Sequence, residues 1–237
     1  MRTIIWVLEF IISLVLTVPN MIRVRKVKEE HGNKAASEYA DRIVRKWVEN
    51  KFRLSGADIK ITGTEKIPMD EKLVFISNHQ SNFDIAIIMK YIPGAKGFVA
   101  KAEMRKVPIL STWMELMGCV FIDRESPRKS IEAIVQAGKN VKEGINMVIF
   151  PEGSRSKGGP VKDFKLGSFR IAVKNKAVIV PITIDGSYKL LEEKKRIKPA
   201  EVKVTVHDPV YTADLTKDEK EKINIEVRNI VVSSLEN

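Results

Sequence analysis

"LVFISNHQSNFDIAIIMKY" runs from Leu73 to Tyr91, and its reading decides the fold. A short apolar run leads into Ser77, a polar turn follows, and a second apolar run opens at Phe83. The first run has the length of a buried strand and the second carries a helical pattern over Phe83–Tyr91. Ser81 or Asn82 can cap that helix, so Asp84 falls in its first turn. His79 then stands just past the carboxyl end of a strand, where open α/β sheets bind ligands. A helix N-terminus favours the ionised form of Asp84. The carboxylate can accept a hydrogen bond from one imidazole nitrogen and leave the other free as a base. Spacing alone also permits a plain turn histidine beside an aspartate helix cap.

Outward from this unit the same alternation repeats. The apolar runs predict strands at Ile59–Thr62, Gly97–Ala100, Cys119–Ile122, Met147–Phe150, Val178–Ile184 and Val202–Val206. Helical patterns cover Ile109–Met117, Ser130–Glu143 and Phe164–Lys174, and a capping box from Thr216 to Glu219 opens a last helix towards Val232. Strands interleaved with helices predict an α/β layer fold. Pro181 interrupts "VIVPITI" and implies an edge, a bulge or an irregular site wall.

The N-terminal region has another character. Residues 1–54 read as a helical pair and residues 55–237 as the main domain, with Ser55-Gly56 between them. Ala36, Ala40, Ile43, Val44, Trp47 and Val48 line one face of the second helix, and Glu38/Arg42 and Asp41/Arg45 are acid-before-base pairs. The first helix, "IIWVLEFIISLVLTV" from Ile4 to Val18, falls short of the ~20 apolar residues a spanning helix needs, even when extended through Met21 and Ile22. Its polar members Glu9, Ser13 and Thr17 recur every four residues and stack along one side. A wide apolar face with a narrow polar stripe suits a helix lying in one leaflet, its stripe turned to water or to the Ala36–Val48 helix. Arg23, Arg25, Lys26 and Lys28 follow, against Arg2 alone on the other side. This bias places the rest of the chain on the cytoplasmic face of the inner membrane, held by a monotopic helix or by a single N-terminal membrane segment. A solvated charge run is the plainer account of the cluster. A cleaved signal peptide is the other account of the apolar run, and "TVPNMIRVRK" offers it no small-x-small site.

Composition narrows the partners. The chain has 237 residues, 44% of them apolar, which is ample for a core. With 41 basic against 30 acidic residues its net charge is +11, which favours nucleic acid, a membrane surface or phosphorylated substrates. Nucleic acid has no other support, because the sequence carries neither a phosphate-binding G-x-x-x-x-G-K nor zinc-finger spacing. Cys119 is the single cysteine and reads as a small core residue. His31, His79 and His207 are too scattered for a dedicated metal site, and none is expected.

Further stretches carry chemistry. "GCVFIDRES", Gly118 to Ser126, ends a strand in Asp123-Arg124, and an arginine there can present a forked donor to phosphate. A surface arginine paired with Asp123 or Glu125 is the structural alternative. "VIFPEGSRSKGG", Val148 to Gly159, follows a strand with hydroxyls, cations and Gly153, which permits an unusual backbone angle. A polar turn would look the same. Trp113, Met114 and Met117 suit an acyl tunnel or, more simply, a core. A serine hydrolase would need a G-x-S-x-G elbow, which is absent.

"NHQSNFD", "GCVFIDR", "FPEGSRS" and "VPITI", in this order, resemble the four blocks of the glycerolipid acyltransferases, with a close match to the bacterial 1-acylglycerol-3-phosphate acyltransferase type. The resemblance spans roughly residues 70–185, and Ser154 stands where the family usually has threonine. It implies an α/β fold with a mixed central sheet flanked by helices; the N-terminal helical pair lies outside the match, and its membrane association is read from its own composition. The resemblance implies His79 as general base and Asp84 as its orienting carboxylate. Lys101 and Arg124 would hold the acceptor phosphate, Glu152, Gly153, Ser154 and Arg155 would shape the acceptor site, and Pro181 would help position a wall of the acyl site. The reaction implied is direct acyl transfer from acyl-CoA or acyl carrier protein to the sn-2 hydroxyl of lysophosphatidic acid, with no cofactor. Glycerol 3-phosphate or another lysophospholipid is the alternative acceptor.

Overall fold

The computed structural model describes residues 1–123 and 125–235. Helices α1 (Arg2–Leu16) and α2 (Val18–Ser55) precede strand β1 (Ala57–Thr62). Then come β2 (Leu73–Ser77), α3 (Phe83–Tyr91), β3 (Lys96–Lys101), α4 (Leu110–Leu116), β4 (Val120–Ile122), α5 (Pro127–Lys142) and β5 (Asn146–Ile149). The chain ends through α6 (Arg170–Asn175), β6 (Val178–Asp185), β7 (Ala200–Val206), β8 (Val210–Tyr211) and α7 (Lys217–Val232).

The strands form one mixed sheet in the order β1-β7-β6-β2-β5-β3-β4, with β8 added against β6. Strands β6, β2, β5, β3 and β4 run parallel, and β7 crosses back antiparallel to β6. Every residue of β2 is buried, which is why it reads as a continuous apolar run rather than an alternation. Leu73 and Phe75 pack towards α2, α3 and α4, while Val74 and Ile76 pack towards α5, α6 and α7. At the edge, β1 instead alternates half-buried with exposed residues, and its charged side chains Asp58 and Lys60 face out.

Pro181 lies in the interior of the sheet, not at an edge. It pairs with Ile76 of β2 on one side. On its other side β6 changes partner, from β8 at Val178–Ile179 to β7 at Ile182–Asp185. The N–H and C=O of a strand residue point the same way, so the missing Pro181 donor faces the gap between partners, where its carbonyl accepts the His207 N–H at 3.0 Å. The expected helix Phe164–Lys174 is also shorter. Its first residues are bonded elsewhere: Lys165 N–H to Pro151 O at 3.2 Å, and Phe164 O to Asn224 at 2.9 Å. Only a 3-10 turn, Leu166–Phe169, leads into α6.

The second N-terminal helix is longer than its sequence pattern indicated. It begins at Val18 and is broken at Gly32, whose φ of 84° is outside the helical range. Val24, Ala36, Ala40, Val44, Val48 and Phe52 of α2 share one core with Phe75 and Phe83. Asp41 and Arg45 turn inward: Asp41 holds the fully buried Lys96 of β3 at 3.1 Å, and Arg45 donates to the carbonyls of Lys90, at 2.8 Å, and Ile92. The polar stripe of α1 faces α2, where Lys51 Nζ meets Glu9 at 2.7 Å and Ser13 at 2.7 Å, and Trp47 donates to Ser13 at 2.9 Å. The opposite face leaves Ile4, Ile5, Leu8, Ile11, Ile12, Val15 and Leu16 more than half exposed. Among the described residues no single helix is long and apolar enough to cross a membrane. The pair α1 and α2, bent by 44°, meets that test only together.

Candidate active site

The parallel strands deliver their carboxyl ends to one edge, and β2 brings His79 to its middle. Asn78 fixes the exit of β2 by bonding both the N–H and the C=O of Ile184 in β6, each at 2.8 Å. The chain then turns into α3, placing fully buried Asp84 behind the histidine. His79 Nδ1 lies 2.8 Å from Asp84 Oδ2, which also accepts the N–H groups of Gln80 at 2.7 Å and Ser81 at 2.8 Å. The other carboxylate oxygen, Oδ1, accepts from the Ser187 hydroxyl. The ring stacks on Phe150, centroids 4.1 Å apart and 15° from parallel. With a side-chain exposure of 15%, His79 is shielded yet reachable. Among the described residues no side chain bonds its Nε2. A carboxylate on Nδ1 favours the tautomer whose Nε2 is a bare acceptor.

The segment after β5 braces this turn. Gly153 takes a φ of 77°, the left-handed conformation its lack of a Cβ permits. Glu152 is buried, and its carboxylate accepts the His79 N–H at 2.6 Å and the Lys162 N–H at 3.1 Å, while Ser156 N–H closes on His79 O at 2.8 Å. Burial raises the Glu152 pKa above the usual carboxylate value, opposed by these two N–H bonds. Glu152 thus reaches the His79 backbone through its side chain. Ser154 is exposed and accepts from Lys162 Nζ at 2.7 Å. Arg155 pairs with Glu192 at 2.8 Å.

Lys101 is exposed at the end of β3, in a pocket of about 510 Å³ with Lys106, Ile122 and Asp123. Its strand is two places from β2, about 10 Å across the sheet. Arg124 lies outside the described residues. Trp113 and Met117 are core residues beside a small apolar gap of about 40 Å³, and Trp113 donates to Thr17 of the α1 stripe at 2.7 Å. Sequence reasoning did not single out Asn78, Ser187 or Glu192. Ser187 and Glu192 meet the turn across more than a hundred residues, and the one local signal is the turn glycine Gly186 after β6.

Together these features define an α/β protein with a carboxylate-oriented, open-sided imidazole at the carboxyl edge of its sheet. Residues 58–185 match the Acyltransferase family, more than half of the chain, and the chain belongs to that family. It is 35% identical over 176 residues to the chloroplastic 1-acyl-sn-glycerol-3-phosphate acyltransferase BAT2 of Brassica napus, covering 72% of this chain and 51% of that one. A 1-acyl-sn-glycerol-3-phosphate acyltransferase of Borreliella burgdorferi is 29% identical over 195 residues, 82% of this chain and 78% of that protein. The chain spans about half the length of the plant chloroplast relatives it matches. The crystal structure of the 1-acyl-sn-glycerophosphate (LPA) acyltransferase PlsC from Thermotoga maritima superposes with a TM-score of 0.80 at 27% identity. It covers 98% of this chain and 95% of that one.

Proposed function

We propose that this chain transfers a fatty acyl group from a thioester donor, acyl-CoA or acyl carrier protein, to the sn-2 hydroxyl of lysophosphatidic acid, yielding phosphatidic acid. The observation that carries the reading is the His79–Asp84 pair, engaged at Nδ1 and open at Nε2. Nε2 takes the hydroxyl proton as the oxygen attacks the thioester carbonyl, and Asp84 stabilises the imidazolium that forms. Collapse of the tetrahedral intermediate breaks the C–S bond, and the thiolate leaves with the proton from His79. Ester and thiol are the products, with neither an acyl-enzyme nor a cofactor. Lys101, and Arg124 on its sequence assignment, hold the acceptor phosphate, and Ser154 and Arg155 border it. The shared activity in the relatives' names supports lysophosphatidic acid as acceptor.

Because the acceptor is a lipid and the donor is water-soluble, the site must work at an interface. The apolar outer face of α1 supports attachment in one leaflet of the membrane on the cytoplasmic side. Each fully buried Ile or Leu there contributes about 1.5–3 kcal/mol. An acceptor panel with acyl-CoA, read as free thiol and as lipid product by mass spectrometry, tests the reaction. Faster product formation from glycerol 3-phosphate or another lysophospholipid would replace the acceptor assignment. Co-flotation with anionic vesicles, lost on Leu8→Glu with Ile12→Lys, tests the attachment. Unchanged flotation would overturn it.

A further inference from the structure

Two residues beyond the end of the family match at Asp185 complete the site from behind. Ser187 is fully buried and donates its hydroxyl proton to Asp84 Oδ1 at 2.5 Å. Glu192, with a side chain only 5% exposed, accepts from Ser81 Oγ at 2.6 Å, Asn82 N–H at 2.9 Å and Arg155 Nη1 at 2.8 Å. We infer that Ser187 and Glu192 are positioning residues for acyl transfer: Ser187 holds the Asp84 carboxylate, and Glu192 holds Arg155 against the His79 turn, facing the acceptor phosphate. The inference rests on the acyl-transfer reading above.

The argument for Ser187 is the asymmetry of the bonds on Asp84. Oδ2 receives the imidazole and two backbone N–H groups, whereas Oδ1 receives Ser187. A carboxylate held at both oxygens cannot rotate, so Nδ1 always meets the same atom at the same angle. Without the hydroxyl, Oδ1 is a buried acceptor with no donor, and rotation of the carboxylate becomes the way to relieve it.

The argument for Glu192 concerns the guanidinium. Arg155 is about one-third exposed, and one of its N–H groups is engaged by Glu192. The guanidinium is planar and has five donors in a fixed fork, so one anchored N–H orients the rest. The same carboxylate bonds Ser81 and Asn82, so the arginine is referenced to the turn that carries the base. The cost is a negative charge close to an anionic substrate. Orientation and charge therefore predict opposite effects on substrate binding, and kinetics separate them.

Glu192→Ala removes that charge together with Oε1, the oxygen shared by Arg155 and Asn82 that a glutamine amide would keep, and the loss of charge by itself would lower the acceptor KM. Lost orientation instead raises it, by about fivefold or more, with the donor KM unchanged. In an Arg155→Ala background the same change should add almost nothing, because Glu192 acts through Arg155. A lowered or unchanged acceptor KM, or effects that multiply independently, would overturn the Glu192 assignment. Folded Ser187→Ala should lose kcat by about tenfold with both KM values unchanged, and Ser187→Thr, which keeps the hydroxyl, should restore it. A substrate-free readout is the downfield proton resonance of His79 Nδ1–H, which Ser187→Ala should shift or broaden. Wild-type kcat with an unmoved resonance would overturn the Ser187 assignment. Failure of the wild-type chain to acylate lysophosphatidic acid would instead sink the acyl-transfer reading, while the resonance still reports on Ser187.

Discussion

Two groups of buried polar side chains in this molecule end differently. At the seam of α1 with α2 and α4, every stripe residue meets a matching partner: Glu9 with Lys51, Ser13 with Trp47 and Lys51, Thr17 with Trp113. At the carboxyl edge of the sheet, bonds converge on Asp84 and on the His79 backbone and then stop at Nε2, which no side chain among the described residues bonds. The seam is closed, so its bonds serve to attach one helix to another. The site is open-ended, and the bonds behind it orient an atom that still needs a partner. A polar network with a reachable free end is where chemistry is to be sought.

The comparison breaks most severely at the open end. His79→Ala should reduce turnover by about 10²–10⁴-fold in a protein that still folds, read by thiol release. Turnover near wild type would make the open nitrogen irrelevant. Glu152→Gln should cost less, about 10- to 100-fold in kcat, because an amide cannot accept both the His79 and the Lys162 N–H with its two ends. Retained kcat would show that the brace is dispensable.

The closed seam should respond in stability rather than chemistry. Lys51→Met leaves Glu9, with a side chain 27% exposed, without its cation. The expected loss is about 1–3 kcal/mol, visible as a lower thermal midpoint, with turnover per folded molecule preserved. A loss of turnover at an unchanged midpoint would erase the distinction between the two networks.

His207 gives the smallest test, since it is a histidine in a closed network. Its Nε2 lies 2.7 Å from Thr183 Oγ1, which in turn donates to Val231 O. Burial, with Lys66 nearby, lowers its pKa from the ordinary 6.5. The unfolded chain therefore binds the proton more readily. This contribution to stability is intact above about pH 6.5 and declines as the pH falls through the unfolded and then the folded value. Urea midpoints between about pH 5 and pH 7 should fall less steeply with acid in His207→Gln than in the wild type. Equal slopes would mean that His207 carries no such penalty.

What the sequence determined by itself was local. The strand, turn and helix of Leu73–Tyr91 were legible, and with them the meeting of His79 and Asp84. Five residues across one turn leave few other arrangements. The capping box of α7 and the side of α1 on which Glu9, Ser13 and Thr17 stack were legible for the same reason. Tertiary structure alone decided what those local units face. Strands buried on both faces present similar apolar runs, so no periodicity announced that β6 lies beside β2 or that Pro181 falls where β6 changes partner. Asp41 and Arg45 read only as an acid-before-base pair along α2, and the third member, Lys96, arrives from β3. The groups that complete the site, Glu152, Ser187 and Glu192, come from 73 to 111 residues away from the atoms they hold. A polar side chain that far along the chain finds its partner only after the sheet has closed, because burial is what makes an unpaired carboxylate or N–H costly enough to select one geometry.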